Sequence, residues 1–173
     1  MTRSWAKRLT DLMVLRGEYA PSSQQWVRDE VEHYERTGGS AWRDRPVVLL
    51  TTVGARTGLL RKTPLMRVEH AGSYAVVASQ AGSITHPHWY ANVLAHPEVD
   101  LRDGAVTCSF VAREVHGAER SAWWSRACTA FPSFVDYQSR TRRRIPLLVL
   151  EVSDEAADSG PAPDRSGSAG TSR

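Results

Sequence analysis

Cysteine is scarce: Cys108 and Cys128 are the two in 173 residues. Their spacing fits no metal or redox motif, so reduced thiols in a cytoplasmic protein are the plain reading. Long apolar runs are absent too, none nearing the roughly 20 residues of a membrane-crossing helix. The first residues, "MTRSWAKRLTDLMVLRG", are basic but lack the continuous apolar core of a signal peptide. Nor is there a strong excess of one charge. Twenty-two Lys and Arg against 19 Asp and Glu leave +3, which favours anionic ligands without arguing for nucleic acid. No Gly-Lys-Ser/Thr and no trio of correctly spaced glycines occur, which excludes a Walker A loop and a dinucleotide fingerprint. No serine sits in a nucleophile elbow. His86, His88 and His96 are two and eight residues apart, whereas a helical metal site needs ligands four apart, so no metal is expected.

What is present suits one domain with a real core. Six tryptophans make aromatic packing or a flat ligand an open question. "PSSQQWVRDEVEHYERTGG" reads as an amphipathic helix capped by Ser22 or Ser23, with Val27, Val31 and Tyr34 on one face, stopped at Gly38 and Gly39. "RPVVLLTT" is an apolar run of strand length, suggesting burial on both faces. "KTPLMRVEH" and "SYAVVAS" flank Ala71-Gly72 as a hairpin, with Pro64 demanding an edge or a bulge. Pro87 to Ala95 reads as a short helix before Pro97. Asp103-Gly104 joins "EVDLR" to "AVTCSFVAREV" as a second hairpin. "GAERSAWWSRACTAF" is helical, with Trp124, Ala127 and Phe131 on one side. A short helix in "PSFVDYQSRT" and a buried strand in "RIPLLVLEV" follow. Six strands joined largely by hairpins argue for a small antiparallel barrel. The division is an N-terminal extension over 1–20, partly flexible, the domain over 21–152, and a disordered tail over 153–173, poor in anything that could form a core.

Three clusters carry chemistry. In "LLTTVGARTGLLRKTPLM", Arg56, Arg61 and Lys62 gather with Thr51, Thr52, Thr57 and Thr63 around Gly54 and Gly58. Backbone N–H groups there can cradle an anion, with arginine reinforcing the nest; a solvated basic turn is the alternative. At the head of the 87–95 helix, Trp89, Tyr90 and Asn92 are either core or a ligand wall. "RTRRR" at 140–144 is a nucleic-acid patch or, more simply, a solvated helix terminus complementing the helix dipole.

Taken together, "VVLLTTVGARTGLLRKTPLMRVEHAGSYAVVAS", "HPHWYANVLAHPEVDL" and "AERSAWWSRACTAFPSFVDYQSRTRRRIPLLVLE" occur in an order that resembles the deazaflavin-dependent nitroreductase and quinone reductase family of actinobacteria, from about Met13 to Glu151. The resemblance implies a mainly β protein with flanking helices, a split β-barrel like that of flavin-binding pyridoxamine-phosphate oxidases. It implies coenzyme F-420 as cofactor, with hydride transfer to a quinone or nitroaromatic acceptor. Gly54, Ala55, Arg56 and Thr57 would wrap its phosphate. Arg61, Lys62 and Thr63 would hold the phosphate or the acidic tail. Pro64, Leu65 and Met66, with Val77, Ala78, Ser79 and Gln80, would line the ring and its linker. His88, Trp89, Tyr90, Ala91 and Asn92 would complete the wall. Ser79 and Tyr137 are the candidate catalytic donors, and Phe131, Phe134 and Tyr137 the acceptor contacts, Phe134 also touching the cofactor.

Departures from the family pattern shape the expectation. Phe131 and Phe134 stand where a well-studied member carries tyrosines, so a polar nitroheterocycle should bind less well, an unpaired buried oxygen costing about 1–3 kcal/mol. Gln80 and Ala55 each remove a cation that relatives can carry. Residues 1–12 read as a weakly membrane-facing extension, with Arg3, Lys7 and Arg8 beside Trp5 and Leu9, or as the product of a start assigned upstream of Met13. The protein is thus expected at the cytoplasmic side, as monomer or homodimer, without nucleic acid. A non-catalytic F-420 carrier, or a small flavin or haem binder on the same barrel, are the competing readings.

Overall fold

The computed structural model describes residues 14–42 and 44–152; the expectations for 1–12 and 153–173 lie outside the described residues. The first helix, α1 (Gln25–Thr37), buries Val27, Val31 and Tyr34 and ends on Gly38 in the left-handed region at φ 77°, the position where glycine carries no Cβ penalty. Its N-cap is Gln24, without a side-chain cap, because the expected Ser22 hydroxyl instead accepts from Gln24 N at 3.2 Å. The strands are β1 (Ala41–Trp42), β2 (Arg45–Val53), β3 (Leu60–Met66), β4 (Glu69–His70), β5 (Ser73–Val77), β6 (Glu98–Asp103), β7 (Val106–Glu114) and β8 (Leu147–Glu151). Between them lie α2 (His88–Ala95), α3 (Gly117–Ala130) and α4 (Ser133–Ser139).

All ladders are antiparallel, in the order β1-β2-β6-β7-β8-β5-β4, with β3 on the other side of β2. The sheet curls until β3 comes beside β5 with no ladder between them. The expected barrel is therefore split along β3 and β5. Pro64 explains the seam: it pairs with Leu49 on one side and has no N–H to offer a partner on the other. The 62–70 segment expected to form one hairpin arm is divided, since β3 joins β2 and only β4 pairs with β5.

Alternation along the strands builds two separate cores. From β2, Val48 and Leu50 point into the barrel, while Val47 and Leu49 pack against α1. From β8, Leu148 and Leu150 point in, while Leu147 and Val149 face α3 and α4. This is why the continuous apolar runs are buried on both faces. On α3 the buried ring is Trp123 rather than the expected Trp124, followed by Ala127 and by Phe131 at the helix end. Arg120 reaches back to Ile145 O at 2.8 Å and its guanidinium lies over Trp124, holding that ring at the margin. Upstream of α1, Glu18 O accepts from Leu60 N and Ala20 N donates to Leu60 O, so residues 18–20 run along β3. Among the described residues no helix is long and apolar enough to cross a membrane.

Candidate functional site

Beside the seam opens a cavity of about 450 Å³. Val47 comes from β2, and Pro64, Leu65 and Met66 from the unpaired edge of β3. Val77 and Ser79 come from the end of β5 and just beyond, and Ala81 from the turn that follows. The far wall is an aromatic corner of Phe131, Phe134 and Tyr137, with ring centroids 5.2 to 6.3 Å apart. Trp26 and Glu30, one helical turn apart on α1, form the rim, as the i and i+4 positions share a face. The lining is apolar with few polar groups. The Ser79 residue is 8% exposed, and its hydroxyl has no hydrogen-bond partner among the described residues.

The turn beneath Ser79 is unusual backbone. Gln80, Ala81 and Gly82 all have positive φ, at 44°, 51° and 81°, closed by Gly82 N to Ser79 O at 2.9 Å and Ser83 N to Gln80 O at 3.0 Å. Two non-glycine residues in this region are costly unless the surroundings hold them. Arg143 does so. Its guanidinium donates to the carbonyls of Ala78 (3.1 Å), Ser79 (2.8 Å) and Ser83 (2.8 Å). It also faces His86 Nδ1 at 3.1 Å, which must accept, since guanidinium has only donors. Burial lowers the Arg143 pKa from its ordinary value. One residue of the 140–144 cluster thus organises a site wall, while Arg142 and Arg144 are exposed.

The loop 54–59 leads into β3. Gly54 and Gly58 bracket it through Gly54 N to Leu59 O and Gly58 N to Gly54 O, both 2.8 Å. Asn92 anchors it: its Oδ1 accepts from Ala55 N at 3.0 Å, and its Nδ2 donates to Thr52 Oγ1 at 3.1 Å. Asn92→Ala strips both partners at a buried position, an expected loss of about 1–3 kcal/mol; chemical denaturation and faster amide exchange at Ala55 would register it. Arg56, Thr57 and Gly58 are exposed, and the N–H groups of Arg56 and Thr57 are without partners among the described residues. The remaining cations are engaged. Arg61 donates to the carbonyls of Ala20 and Pro21, each at 3.2 Å. Lys62 pairs with Glu35 and sits over the Tyr19 ring. Both therefore tie the N-terminal segment and α1 to β3, which leaves Arg56 as the loop's open cation.

The expected wall from α2 divides in the same way. Trp89 is 5% exposed and packs inside the barrel with Val48, Leu50 and Val93, so it is interior rather than groove lining. The Tyr90 hydroxyl donates to Glu114 Oε2 at 2.7 Å, and burial first, then Glu114, pushes its pKa up to about 12. His88, Ala91 and Gln80 are exposed, Thr63 is half-buried and Ala78 is buried in the barrel. Trp26, Glu30, Val47 and Ala81 join the site without having stood out in the sequence. Only the helical spacing of Trp26 and Glu30 hinted that they share a face.

Comparison with known proteins places these features. A sequence model of the family described as F420H(2)-dependent quinone reductase matches residues 26–152. A quinone reductase of that description from Mycobacterium tuberculosis is 34% identical over 108 residues, covering 61% of this chain and 72% of that protein. A second from the same species is 29% identical over 115 residues, covering 66% and 97%. Among solved structures, an F-420-dependent reductase superposes with a TM-score of 0.59 at 48% identity, covering 62% of this chain and 95% of that one. A structure described as a domain-swapped dimer gives 0.61 at 43%, covering 75% and 100%.

Proposed function

The chain belongs to the F-420-dependent quinone reductase family, and from that premise we propose that its acceptor is reduced in the cavity beside the seam, with Arg56 and the 54–58 loop holding the anionic part of the cofactor. The cofactor of the family is reduced F-420, which when bound supplies a hydride. The residues here fit such a group. Exposed N–H donors and an open arginine suit a phosphate, and β3 leads from that loop straight to an apolar cavity suited to a flat ring.

The single observation carrying the proposal is the unpartnered Ser79 hydroxyl among the mainly apolar walls of the cavity, where Tyr137 and Glu30 are the other polar side chains. A quinone oxygen gains negative charge as the ring is reduced. A positioned hydroxyl donor stabilises that charge more than it stabilises the neutral ring, which is the condition for catalysis. Tyr137 is the second hydroxyl at the wall, with Arg140 over its ring at 5.5 Å. Phe131, Phe134 and Met66 keep water out and stack on the acceptor. Because Phe131 and Phe134 offer no donors, a quinone is preferred to a nitroheterocycle.

The test is to titrate the protein with reduced F-420, add menadione and follow the deazaflavin absorbance. Protein-dependent oxidation is expected; binding without turnover across several quinones would leave a carrier instead. Arg56→Ala is expected to raise the F-420 dissociation constant about tenfold, the worth of one exposed charge-assisted contact, with the quinone KM moving far less.

A further inference from the structure

Glu30 is the only charged side chain lining the cavity among the described residues. It is half-buried on α1, one turn from Trp26 at the rim, and no described residue pairs with it or hydrogen-bonds to it. Its charged neighbours are otherwise occupied. Glu35 pairs with Lys62, Arg28 bonds Ser22 O and Gln25, and Asp29 accepts from Gln25. The other walls here are Val47, Pro64, Leu65 and the aromatic corner, which carry no charge themselves, the exposed Arg140 behind the Tyr137 ring forming no ion pair with it. A carboxylate without an ion-pair partner at the mouth of a mainly apolar cavity acts over several ångströms, because the low-polarity walls screen it less than water does.

We propose that Glu30 sets the charge selectivity of the acceptor site, disfavouring anionic quinones and favouring those with a cationic substituent. The inference rests on the cavity being the acceptor site. An acceptor ring against Phe131 and Phe134 would direct its substituents to the open side, where Trp26 and Glu30 stand. A sulfonate or carboxylate there meets like charge. An ammonium meets a carboxylate with lone pairs to spare and gains a charge-assisted contact. Apolar substituents gain from Trp26, which is 57% exposed and has ring surface left to cover.

Three naphthoquinones sharing one ring test this: one sulfonated, one unsubstituted and one with a trimethylammonium side chain. The wild-type protein should prefer them in the order cationic, neutral, anionic by kcat/KM. Glu30→Gln, which keeps shape and loses charge, should lower the cationic-to-anionic ratio about tenfold, and salt near 0.5 M should flatten the wild-type ratio toward the same value. Glu30→Asp should keep the wild-type order. Quinone binding by quenching of tryptophan fluorescence, with F-420 omitted, reads the same selectivity without turnover. Charge order in binding with no turnover would support Glu30 and overturn the reductase assignment of the cavity. Turnover whose charge ratio is the same in wild type and Glu30→Gln would overturn the role of Glu30 alone.

Discussion

Gly82→Ala is expected to be the most damaging single methyl that can be added near the site. At φ 81° the residue lies in the left-handed region, and a Cβ there would stand 2.7 Å from Tyr137 O and 3.1 Å from both Tyr137 Cα and Arg140 Cβ. Two of these neighbours are backbone, so the methyl cannot be relieved by rotating a side chain. The left-handed backbone costs alanine about 1–2 kcal/mol, and overpacking against fixed backbone adds about 1–3 kcal/mol. The total corresponds to a fall in melting temperature of roughly 5–15 °C for a chain of this size. The relief available is to push α4 away, and α4 carries Phe134 and Tyr137, so kcat/KM for menadione should fall at least tenfold. Gly38→Ala is the control. It has a similar φ of 77° with nothing within 4 Å of the added Cβ, and should show only the backbone part and near-normal quinone kinetics. Equal losses in both variants would show that the contact with α4 does not matter.

Arg143→Ala is expected to have the second large effect, through three carbonyl oxygens that lose the guanidinium as donor, of which Ser79 O keeps Gly82 N. The groups are partly buried, so roughly 2–3 kcal/mol of stability should go with them. The kinetic signature is more diagnostic than the stability. The carbonyls of Ala78 and Ser79 fix the chain that presents the Ser79 hydroxyl, so kcat for quinone should fall further than F-420 affinity, whose anionic part the 54–58 loop would hold. Arg143→Lys keeps the charge but replaces a planar fork by a point donor, and should recover only part of the rate. Arg142→Ala and Arg144→Ala, on exposed side chains, should change stability by about 0.5 kcal/mol or less. If all three arginine variants behave alike, the cluster is a solvated terminus and Arg143 has no positioning role.

Much of the architecture was legible because its causes are local. The alternation within Val47 to Leu50, the Asp103-Gly104 turn, the Gly38 stop and the edge position of Pro64 each follow from the geometry of a few neighbouring residues. The wall residues Pro64 to Met66, Val77, Ser79, Phe131, Phe134 and Tyr137 were named from resemblance, and the fold gathers them around one cavity. Where expectation and structure part, the deciding contact comes from far along the chain. Spacing on α3 put Trp124 on the buried side with Ala127 and Phe131, whereas the fold buries Trp123, with Arg120, reaching to Ile145 O, lying over Trp124. Trp89 could be core or wall, and the curl of the sheet around it made it core.

The same holds for charge. By itself the sequence determined that strands with two buried faces curl into one antiparallel barrel, and that a glycine-bounded loop beside β3 carries several cations. It could not say which cation stays open to a ligand. Glu35 takes Lys62 from 27 residues away, the Ala20 carbonyl takes Arg61 from 41, and the Ser79 carbonyl takes Arg143 from 64. Propensity, turn chemistry and alternation act between near neighbours and are written in the order of the residues. A charge is satisfied by whatever polar group the folded chain brings within about 3 Å, and only the tertiary structure decides which group that is.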